Sequence, residues 1–217
     1  MGIVVNDSQN LFMLQTRSNS YAFGIDNQGL VRHLYWGSRI NAMEDFEMPE
    51  LAEVSTNDPV YEITKEEFPV YGGLRYKEHC LKVTFADGTR DVAYEYVNYE
   101  IQKNEQCEEL VIILKDKHYA LVMELHYKIY EAYDLMERFV VLKNESTEVM
   151  QIEKLHSGQF HVPYEGLNFR NVHGHWGAEQ QKFVQKVDYG KIIFENRRGI
   201  SSHNHNPYFI LDQDATE

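Results

Sequence analysis

The chain has 217 residues, of which 43% are hydrophobic, 25% charged and 13% aromatic, and its formal net charge is −13. This composition is typical of a globular protein with one large domain, and it argues against a disordered chain. The negative charge argues against nucleic acid or an anionic membrane as a partner, because no stretch rich in Lys and Arg offsets it.

The cysteine content points to a reducing compartment. Cys80 and Cys107 are too few for a disulfide framework or a zinc site, so we expect two free buried thiols, with a single bridge as the alternative. The first residues show no signal-peptide pattern, and no apolar segment approaches the roughly 20 residues of a membrane-spanning helix. We therefore expect a cytoplasmic protein.

The first irregular segment is acidic. Residues 41–68 read NAMEDFEMPELAEVSTNDPVYEITKEEF and show no clear period. Long loops of this kind are usually functional or mobile. The alternative is a solvated insertion with one helical turn over residues 62–67. We interpret Glu44, Asp45 and Glu47 as a solvated charge run.

Further along the chain, the dominant period is two. Residues 81–85 and 121–129 alternate apolar with polar side chains, which predicts strands with one face on a core. Residues 110–114 and 139–142 are apolar runs rich in β-branched side chains. These runs predict strands that are buried on both faces.

Turn residues separate these segments. Asp87-Gly88 is a strong signal for a tight hairpin, since Gly accepts a positive φ at no steric cost. Residues 116–117, 144–147 and 188–190 predict further reversals. Strands repeated at intervals of about 8–12 residues are typical of sandwiches and barrels. The sequence therefore predicts an all-β fold.

Histidine pairs are the first candidates for chemistry. His173 with His175, and His203 with His205, would each point two imidazoles to one face of a strand, an arrangement that can bind a metal. No Cys or carboxylate stands at the spacing of a zinc site. The second pair is flanked by asparagines in a turn-like segment, where hydrogen bonds to the backbone explain it. We predict no metal and no cofactor.

Aromatic side chains are more informative than carboxylates, whose spacing defines no acid/base pair. Nucleophile motifs and phosphate-binding loops are also absent from the sequence. Flat rings in loops and at strand ends can stack on sugars, and the alternative is that they pack a core or an interface. The rings in question belong to Tyr35, Trp36, Tyr71, Tyr164, Phe169, Trp176 and Tyr208.

Five segments carry a resemblance to a known family. They are LVRHLYWGSRI (30–40), EEFPVYGGLRYKEHCLKVTFADGT (66–89), HYKIYEAYDLMERFVVLKNES (126–146), VHGHWGAEQQ (172–181) and ENRRGISSHNHNPYFIL (195–211). Together they resemble the N-terminal domain of glycoside hydrolase family 36 α-galactosidases. The resemblance covers nearly the whole chain except the acidic segment.

The resemblance implies a large antiparallel β-supersandwich, similar to galactose-mutarotase domains, that forms a single domain over residues 1–217. In the family, this domain precedes a (β/α)8 barrel, which we expect downstream of residue 217. The barrel supplies both catalytic aspartates for a retaining double displacement. The parent enzyme would hydrolyse terminal α-D-galactosyl residues of oligosaccharides such as melibiose and raffinose. The chain alone is expected to be inactive, and none of its residues is assigned a catalytic role.

The resemblance also implies roles for two residues near position 70. In tetrameric members, loops of this domain help to shape the outer subsites of a neighbouring subunit. The matching positions, 68–72, place Tyr71 as an aromatic shelf and Arg75 as an anchor. Many members continue with an aspartate, whereas this chain reads GGLRY at residues 72–76. The alternative is that both side chains pack a loop.

The last segment is expected to hold the crossover to the barrel through hydrogen bonds to its irregular backbone, and to form the interface between domain and barrel. The residues are Arg197, Arg198, Ser201, Ser202, His203, His205 and Asn206. The expected partners are therefore the barrel of the same polypeptide, further copies in a tetramer, and an α-galactoside.

Two functions of other classes compete with that of an accessory domain. An autonomous carbohydrate-binding module would bind galactose, melibiose or raffinose without a barrel. An aldose epimerase, suggested by the similar sandwich, would pair a histidine with a carboxylate for proton transfer. Since fold similarity alone does not transfer chemistry, the accessory domain is the favoured hypothesis.

Overall fold

The computed structural model describes residues 2–43, 46–48, 64–73, 77–163, 165–195 and 204–213. Within these ranges the chain forms thirteen β-strands and one short 3-10 turn. The prediction of an antiparallel all-β fold is confirmed. The chain divides into two compact units, Met1–His161 and Val162–Glu217. The assignment of residues 1–217 to a single domain stays a prediction.

The first unit contains ten of the strands, and the 3-10 turn Glu131–Tyr133 connects β8 to β9. Their bounds are β1 (Ile3–Asn6), β2 (Leu11–Gln15), β3 (Asn19–Ile25), β4 (Val31–Ser38), β5 (Leu81–Thr84), β6 (Tyr94–Lys103), β7 (Glu108–Asp116), β8 (Leu121–Tyr130), β9 (Leu135–Asn144) and β10 (Gln151–Leu155).

Two antiparallel meanders make up most of this unit. Strands β1 to β4 form one four-stranded sheet in chain order, and β6 to β9 form the other. Because each connection inside a meander is short, successive strands become neighbours. Strand β5 pairs with β10 instead, so this two-stranded sheet joins distant parts of the chain.

The core of the first unit is built from alternate side chains of both meanders. Phe23 of β3 stacks on Phe12 of β2 at 5.3 Å and on Tyr127 of β8 at 4.9 Å between ring centroids. Burial of one such ring contributes on the order of 1.5–3 kcal/mol. The alternation in residues 121–129 is therefore confirmed, because the side chains at 121, 123, 125, 127 and 129 are buried in this core.

The two apolar runs differ in burial. Leu110, Val111, Ile112 and Leu114 of β7 are buried, so the prediction for residues 110–114 holds apart from a half-buried Ile113. The prediction for residues 139–142 is wrong, since these side chains of β9 are only half-buried. The physical reason is position, because β9 is the last strand in its sheet whereas β7 lies inside it.

The predicted turns at residues 87–88 and 116–117 are present, and the second connects two paired strands. The strands on either side of residues 144–147, and those on either side of residues 188–190, do not pair with each other. The amide of Gly88, whose φ is 86°, donates to the Phe85 carbonyl at 2.9 Å, but the strand that follows does not pair with β5. Between β7 and β8, the Asp116 carboxylate accepts from the amides of His118 and Tyr119 at 2.8 Å each.

Both cysteines are free and buried, as predicted. No helix in the described ranges is long and apolar enough to cross a membrane.

The second unit is a three-stranded antiparallel sheet in the order β12-β11-β13. Its strands are β11 (Leu167–His175), β12 (Ala178–Lys186) and β13 (Ile210–Gln213). A two-residue turn, Trp176-Gly177, connects β11 to β12, and its glycine has a φ of 81°. This geometry explains the glycine, because a side chain is strained at such a φ.

Candidate functional site

The acidic segment ends in a stretch that lies inside the first unit. Glu66, Glu67, Phe68 and Val70 are each at most 1% exposed. The expectation of a solvated insertion is wrong for Glu66, Glu67 and Phe68, because they are buried. The alternative of a helical turn is wrong for Glu66, because it pairs with Arg32 as an isolated β-bridge. Elsewhere in this segment the side chain at position 47 is exposed, whereas positions 44 and 45 lie outside the described residues.

The Glu67 carboxylate is the centre of a buried polar cluster. It accepts hydrogen bonds from the hydroxyl groups of Tyr21 at 2.6 Å and Tyr127 at 2.9 Å. His33 Nδ1 lies 2.9 Å from Oε1, and Arg138 Nη1 lies 2.9 Å from Oε2. These partners come from β3, β8, β4 and β9, so both meanders converge on one carboxylate.

The charge of Arg138 and the neighbouring hydrogen bonds keep the Glu67 carboxyl ionised. Burial alone would raise the pKa of the Glu67 carboxyl, but the Arg138 charge and the hydrogen bonds from His33 and Tyr21 outweigh it and hold the pKa below its ordinary value. Burial also raises the pKa of Tyr127 well above its ordinary value. Glu67 is therefore an ionised acceptor, and the tyrosine remains a neutral donor.

Arg138 holds the main chain as well as the carboxylate. Its Nη2 donates to the Glu67 carbonyl at 2.6 Å, and Nη1 donates to the Gln159 carbonyl at 3.0 Å. The guanidinium also lies 5.0 Å from the ring centroid of Tyr127 and 5.4 Å from that of Phe160. One cation therefore connects the acidic segment, β8, β9 and the residues around position 160.

A second buried pair lies beside the first. Arg32 Nε lies 2.7 Å from Asp26 Oδ2, and its Nη1 lies 3.4 Å from Glu66 Oε1. His161 Nε2 lies 2.9 Å from the Glu66 carbonyl oxygen, within hydrogen-bonding distance. Both residues of the Glu66-Glu67 dipeptide are thus fixed through side chain and backbone.

Tyr71 lies at the end of this buried stretch. Its amide donates to the Leu81 carbonyl at 2.8 Å, and its carbonyl accepts from the Val92 amide at 3.1 Å. The ring is 39% exposed, so it presents part of its surface to solvent. Arg75, the other residue expected at the outer subsites, lies outside the described residues.

Cations flank the Tyr71 ring. Lys82 Nζ lies 4.9 Å from its centroid and the Arg90 guanidinium 6.0 Å, distances at which a cation is attracted to a ring. Glu153 pairs with both cations, at 3.0 Å to Lys82 and 2.6 Å to Arg90. The hydrogen bonds from Arg90 are the main reason that the pKa of Glu153 falls to about 2.

The backbone after Tyr71 depends on glycine. Gly72 has a φ of 132°, and a Cβ at this position would overlap the Asp91 carboxylate. The next amide, that of Gly73, donates to Asp91 Oδ1 at 2.7 Å. These contacts bring the chain past Asp91 in a conformation that other residues rarely adopt.

In the second unit, part of the predicted interface segment pairs with β11. The amide of Asn206 donates to the Val172 carbonyl at 2.9 Å, and the amide of Gly174 donates to the Asn204 carbonyl at 3.2 Å. His205 forms an isolated antiparallel bridge with position 173. The other predicted interface residues lie outside the described ranges; they are Arg197, Arg198, Ser201, Ser202 and His203.

Asn171 of β11 anchors this segment. It is 4% exposed, and its side-chain amide donates to the carbonyls of Asn206, at 3.2 Å, and of Tyr208. Its Oδ1 lies 3.2 Å from His205 Nδ1. The described residues around His205 are therefore held by side-chain bonds to irregular backbone, and the donor comes from the sheet rather than from the predicted interface segment itself.

The histidines are only partly brought together. The rings of His173 and His205 are 5.8 Å apart between centroids, whereas His175 Nδ1 lies 3.2 Å from the Trp176 carbonyl. In the part of the chain that the structure describes, no group of three or more His, Cys, Asp or Glu side chains is arranged to hold a metal ion.

The aromatic candidates divide by exposure. Four are open to solvent: Trp36 at 40%, Tyr71 at 39%, Trp176 at 88% and Tyr208 at 48%. Tyr35 is half-buried in β4. Phe169 is half-buried and packs against Phe194 and Phe209, at 5.0 and 5.2 Å between centroids. Tyr164 lies outside the described residues.

A groove opens beside Trp36 on the first unit. Its volume is about 330 Å³, and its lining includes the side chains of Leu135, Phe160, Tyr21 and Asp134. Trp36 and Phe160 lie 5.6 Å apart between ring centroids. Two exposed rings beside polar groups form a surface on which a sugar could stack.

Sequence reasoning missed the Glu67 cluster and Asn171. One signal was available, since Arg32 and His33 interrupt the apolar run of β4. Charged groups at strand positions that should be buried require buried partners. Nothing local identifies those partners, because Glu67 and Arg138 are 71 residues apart.

The strands and their pairing define an antiparallel all-β protein of the β-sandwich class. The chain matches the family described as "Glycosyl hydrolase family 36 N-terminal domain" over residues 29–217 and belongs to this family. The family resemblance read from the sequence is confirmed.

Relatives and solved structures agree with this assignment. The chain is 26% identical to "Probable alpha-galactosidase G" of Aspergillus terreus, covering 94% of the chain and 30% of the relative. It is 24% identical to the "Bifunctional alpha-galactosidase/sucrose kinase AgaSK" of Mediterraneibacter gnavus, covering 100% and 26%. The crystal structure of the α-galactosidase from Lactobacillus brevis is similar in fold, with a TM-score of 0.86 and 24% identity over 98% of this chain and 32% of that one. The chain thus spans about a third or less of the length of the proteins that it matches.

Proposed function

We propose that this chain is the N-terminal accessory domain of a longer α-galactosidase. The observation that carries the proposal is family membership over residues 29–217, together with matches to α-galactosidases of which the chain spans only the smaller part. The longer protein would hydrolyse terminal α-D-galactosyl residues of oligosaccharides of the melibiose and raffinose type, with retention of configuration. We propose a cytoplasmic location for it.

The domain itself would serve the enzyme in three ways: by packing against the catalytic barrel, by taking part in a homo-oligomer and by shaping outer subsites. The last role belongs to Tyr71 and Arg75. A ring that is 39% exposed at the end of a buried, hydrogen-bonded stretch supports it, since a rigidly held aromatic ring can stack on a sugar. Trp176, at 88% exposure, is a second candidate for such a contact.

Packing against the barrel is proposed for the segment that contains Arg197, Arg198, Ser201, Ser202, His203, His205 and Asn206. The attachment of Asn206 and His205 to β11 supports this, because it fixes part of the segment against a regular strand. An irregular segment with satisfied backbone groups can serve as a stable contact surface.

The first test compares this chain with the complete product of its gene. We expect the complete product to hydrolyse a chromogenic α-galactoside and this chain alone to give no turnover. NMR during hydrolysis should show α-galactose before β-galactose, which is the signature of retention. Turnover by the purified chain, or a β-first product, would contradict the proposal.

A second test addresses the subsites. In the complete product, Tyr71→Ala should raise KM for raffinose several-fold and leave KM for a small aryl α-galactoside nearly unchanged, because the aryl substrate does not reach outer subsites. Tyr71→Phe, which keeps the ring, serves as the matched control. Equal effects on both substrates would remove Tyr71 from the subsites.

A second candidate function, that of an autonomous carbohydrate-binding module, is favoured by the groove beside Trp36 and Phe160. Isothermal titration of this chain with galactose, melibiose and raffinose decides between the two. The accessory role predicts no heat of binding at millimolar sugar. Saturable binding that Trp36→Ala abolishes would favour the binding module.

A further inference from the structure

The buried Glu67 is connected to the exposed Tyr71 through a short and fully restrained piece of chain. Phe68 and Val70 are buried between them, and the Pro69 carbonyl accepts from an amide at 2.7 Å. Proline also fixes its own φ, which leaves the segment little freedom. A displacement of Glu67 would therefore be transmitted to the Tyr71 ring.

Stability alone does not explain a carboxylate at this position. Replacing a buried ion pair by apolar side chains of similar volume is often neutral or stabilising, so such pairs are weak contributors to stability. Their best-supported use is to specify one arrangement among several packed alternatives. Glu67 is suited to such a use, since partners on four strands contact its carboxylate and a further hydrogen bond holds its own carbonyl.

Arg138 supplies two of those bonds from one planar group. It donates to the carboxylate of Glu67 and to the carbonyl of the same residue. Side chain and backbone of Glu67 are therefore fixed relative to the same rigid guanidinium. The hydroxyl of Tyr127 completes the arrangement at 2.9 Å.

From this geometry we infer that Glu67, held by Arg138 and Tyr127, is a positioning residue that sets the place of the Tyr71 ring for substrate binding. The inference rests on the proposed subsite role of Tyr71. Glu67 itself is buried and acts only through the segment 68–71.

The test uses hydrogen exchange and steady-state kinetics on the complete gene product. Glu67→Gln removes the charge, and Tyr127→Phe removes a single hydroxyl while it keeps the ring in the core. Tyr99→Phe is the matched control, because it also removes one hydroxyl–carboxylate bond, to Asp7 at 2.7 Å, but on an exposed surface.

In Glu67→Gln and Tyr127→Phe, the amides of Tyr71 and Val92 should exchange about tenfold faster or more, since a hydrogen bond to a charged group is lost. KM for raffinose should rise several-fold with kcat nearly constant. Tyr99→Phe should change neither quantity. If Glu67→Gln fails to fold, Tyr127→Phe carries the test.

The outcomes separate this inference from the proposed function. Unchanged exchange at Tyr71 in Tyr127→Phe overturns the positioning role. If exchange becomes faster but KM for raffinose is unchanged, Glu67 restrains Tyr71 but Tyr71 does not bind substrate. That result overturns both the positioning role of Glu67 and the proposed subsite role of Tyr71. A raised KM in Tyr71→Ala with no effect of either cluster variant overturns positioning alone.

Discussion

Arg138 and Glu67 form an ion pair of 2.9 Å with side chains that are 2% and 0% exposed. The pair connects β9 with the end of the acidic segment, 71 residues earlier in the chain. Neither charge is in contact with bulk water, so each depends on the other and on neighbouring hydrogen bonds for the solvation it loses on folding. This dependence makes the pair sensitive to the loss of one member.

Removing the cation should therefore be costly. Arg138→Ala leaves the Glu67 carboxylate buried without its counter-charge, and we expect the free energy of unfolding to fall by about 3–5 kcal/mol. Urea denaturation followed by circular dichroism measures this. The control is Arg90→Ala, which breaks a solvent-exposed pair with Glu153 and should lower the free energy of unfolding far less, because water screens exposed charges. Similar losses in the two variants would show that burial is not the deciding factor.

Acid should weaken the first unit through Glu67. The pKa of this carboxyl is lower in the folded chain than its ordinary value, so its contribution to stability is fully present above about pH 4.3 and is lost as the pH falls through the folded pKa. The free energy of unfolding should decrease on acidification below that pH. Glu67→Gln should flatten this decrease, whereas Glu47→Gln, at an exposed position, should leave it as in the parent chain. A profile of equal slope in Glu67→Gln would contradict the assignment.

Two glycines with positive φ offer a matched comparison. Gly72→Ala combines backbone strain with an overlap of the new Cβ with Asp91, whereas Gly177→Ala meets nothing within 4 Å. We expect Gly177→Ala to cost about 1 kcal/mol, the strain of a side chain at this φ, and Gly72→Ala to cost clearly more. Thermal unfolding gives both values. A smaller loss for Gly72→Ala would mean that the Asp91 side chain moves aside freely.

In the second unit, Asn171→Ala should release the segment around Asn206. It removes the amide that donates to the carbonyls of Asn206 and Tyr208, and the loss of each hydrogen bond costs about 0.5–1.5 kcal/mol. Hydrogen exchange at the Asn206 amide should become faster. Asn98→Ala, on an exposed face of β6, provides the control and should leave that amide unaffected. Equal protection in both variants would remove Asn171 as the anchor.

Local signals predicted four of the thirteen described strands, β5, β7, β8 and β9. The alternation over residues 121–129 and the turns at 87–88 and 116–117 follow from side-chain direction and φ preference, which are properties of a few consecutive residues. Pairing was less predictable. The turn at 87–88 suggested that β5 pairs with the strand that follows, yet its partner is β10, because a tight turn fixes a reversal and not the partner.

The candidate site was predicted only in part. The family resemblance indicated Tyr71 and the segment that contains His205, and both are in the described chain. The burial of Glu66 and Glu67 was not predicted, because acidic composition suggests solvent whenever the compensating cations are distant in sequence. Whether a charged side chain is buried depends on its tertiary contacts, so it cannot be predicted from a single sequence in which those contacts are unknown.

The placement of the two tryptophans has an experimental consequence. Trp36 lies in the first unit beside Phe160 and Tyr21, whereas Trp176 lies at the tip of a hairpin in the second, with 88% of its surface in water. The chain contains no other tryptophan. Replacing Trp176 by phenylalanine leaves Trp36 as the only tryptophan, so tryptophan emission can follow the unfolding of the first unit without any attached label, whereas Trp176 already lies in water and its emission should change little on unfolding.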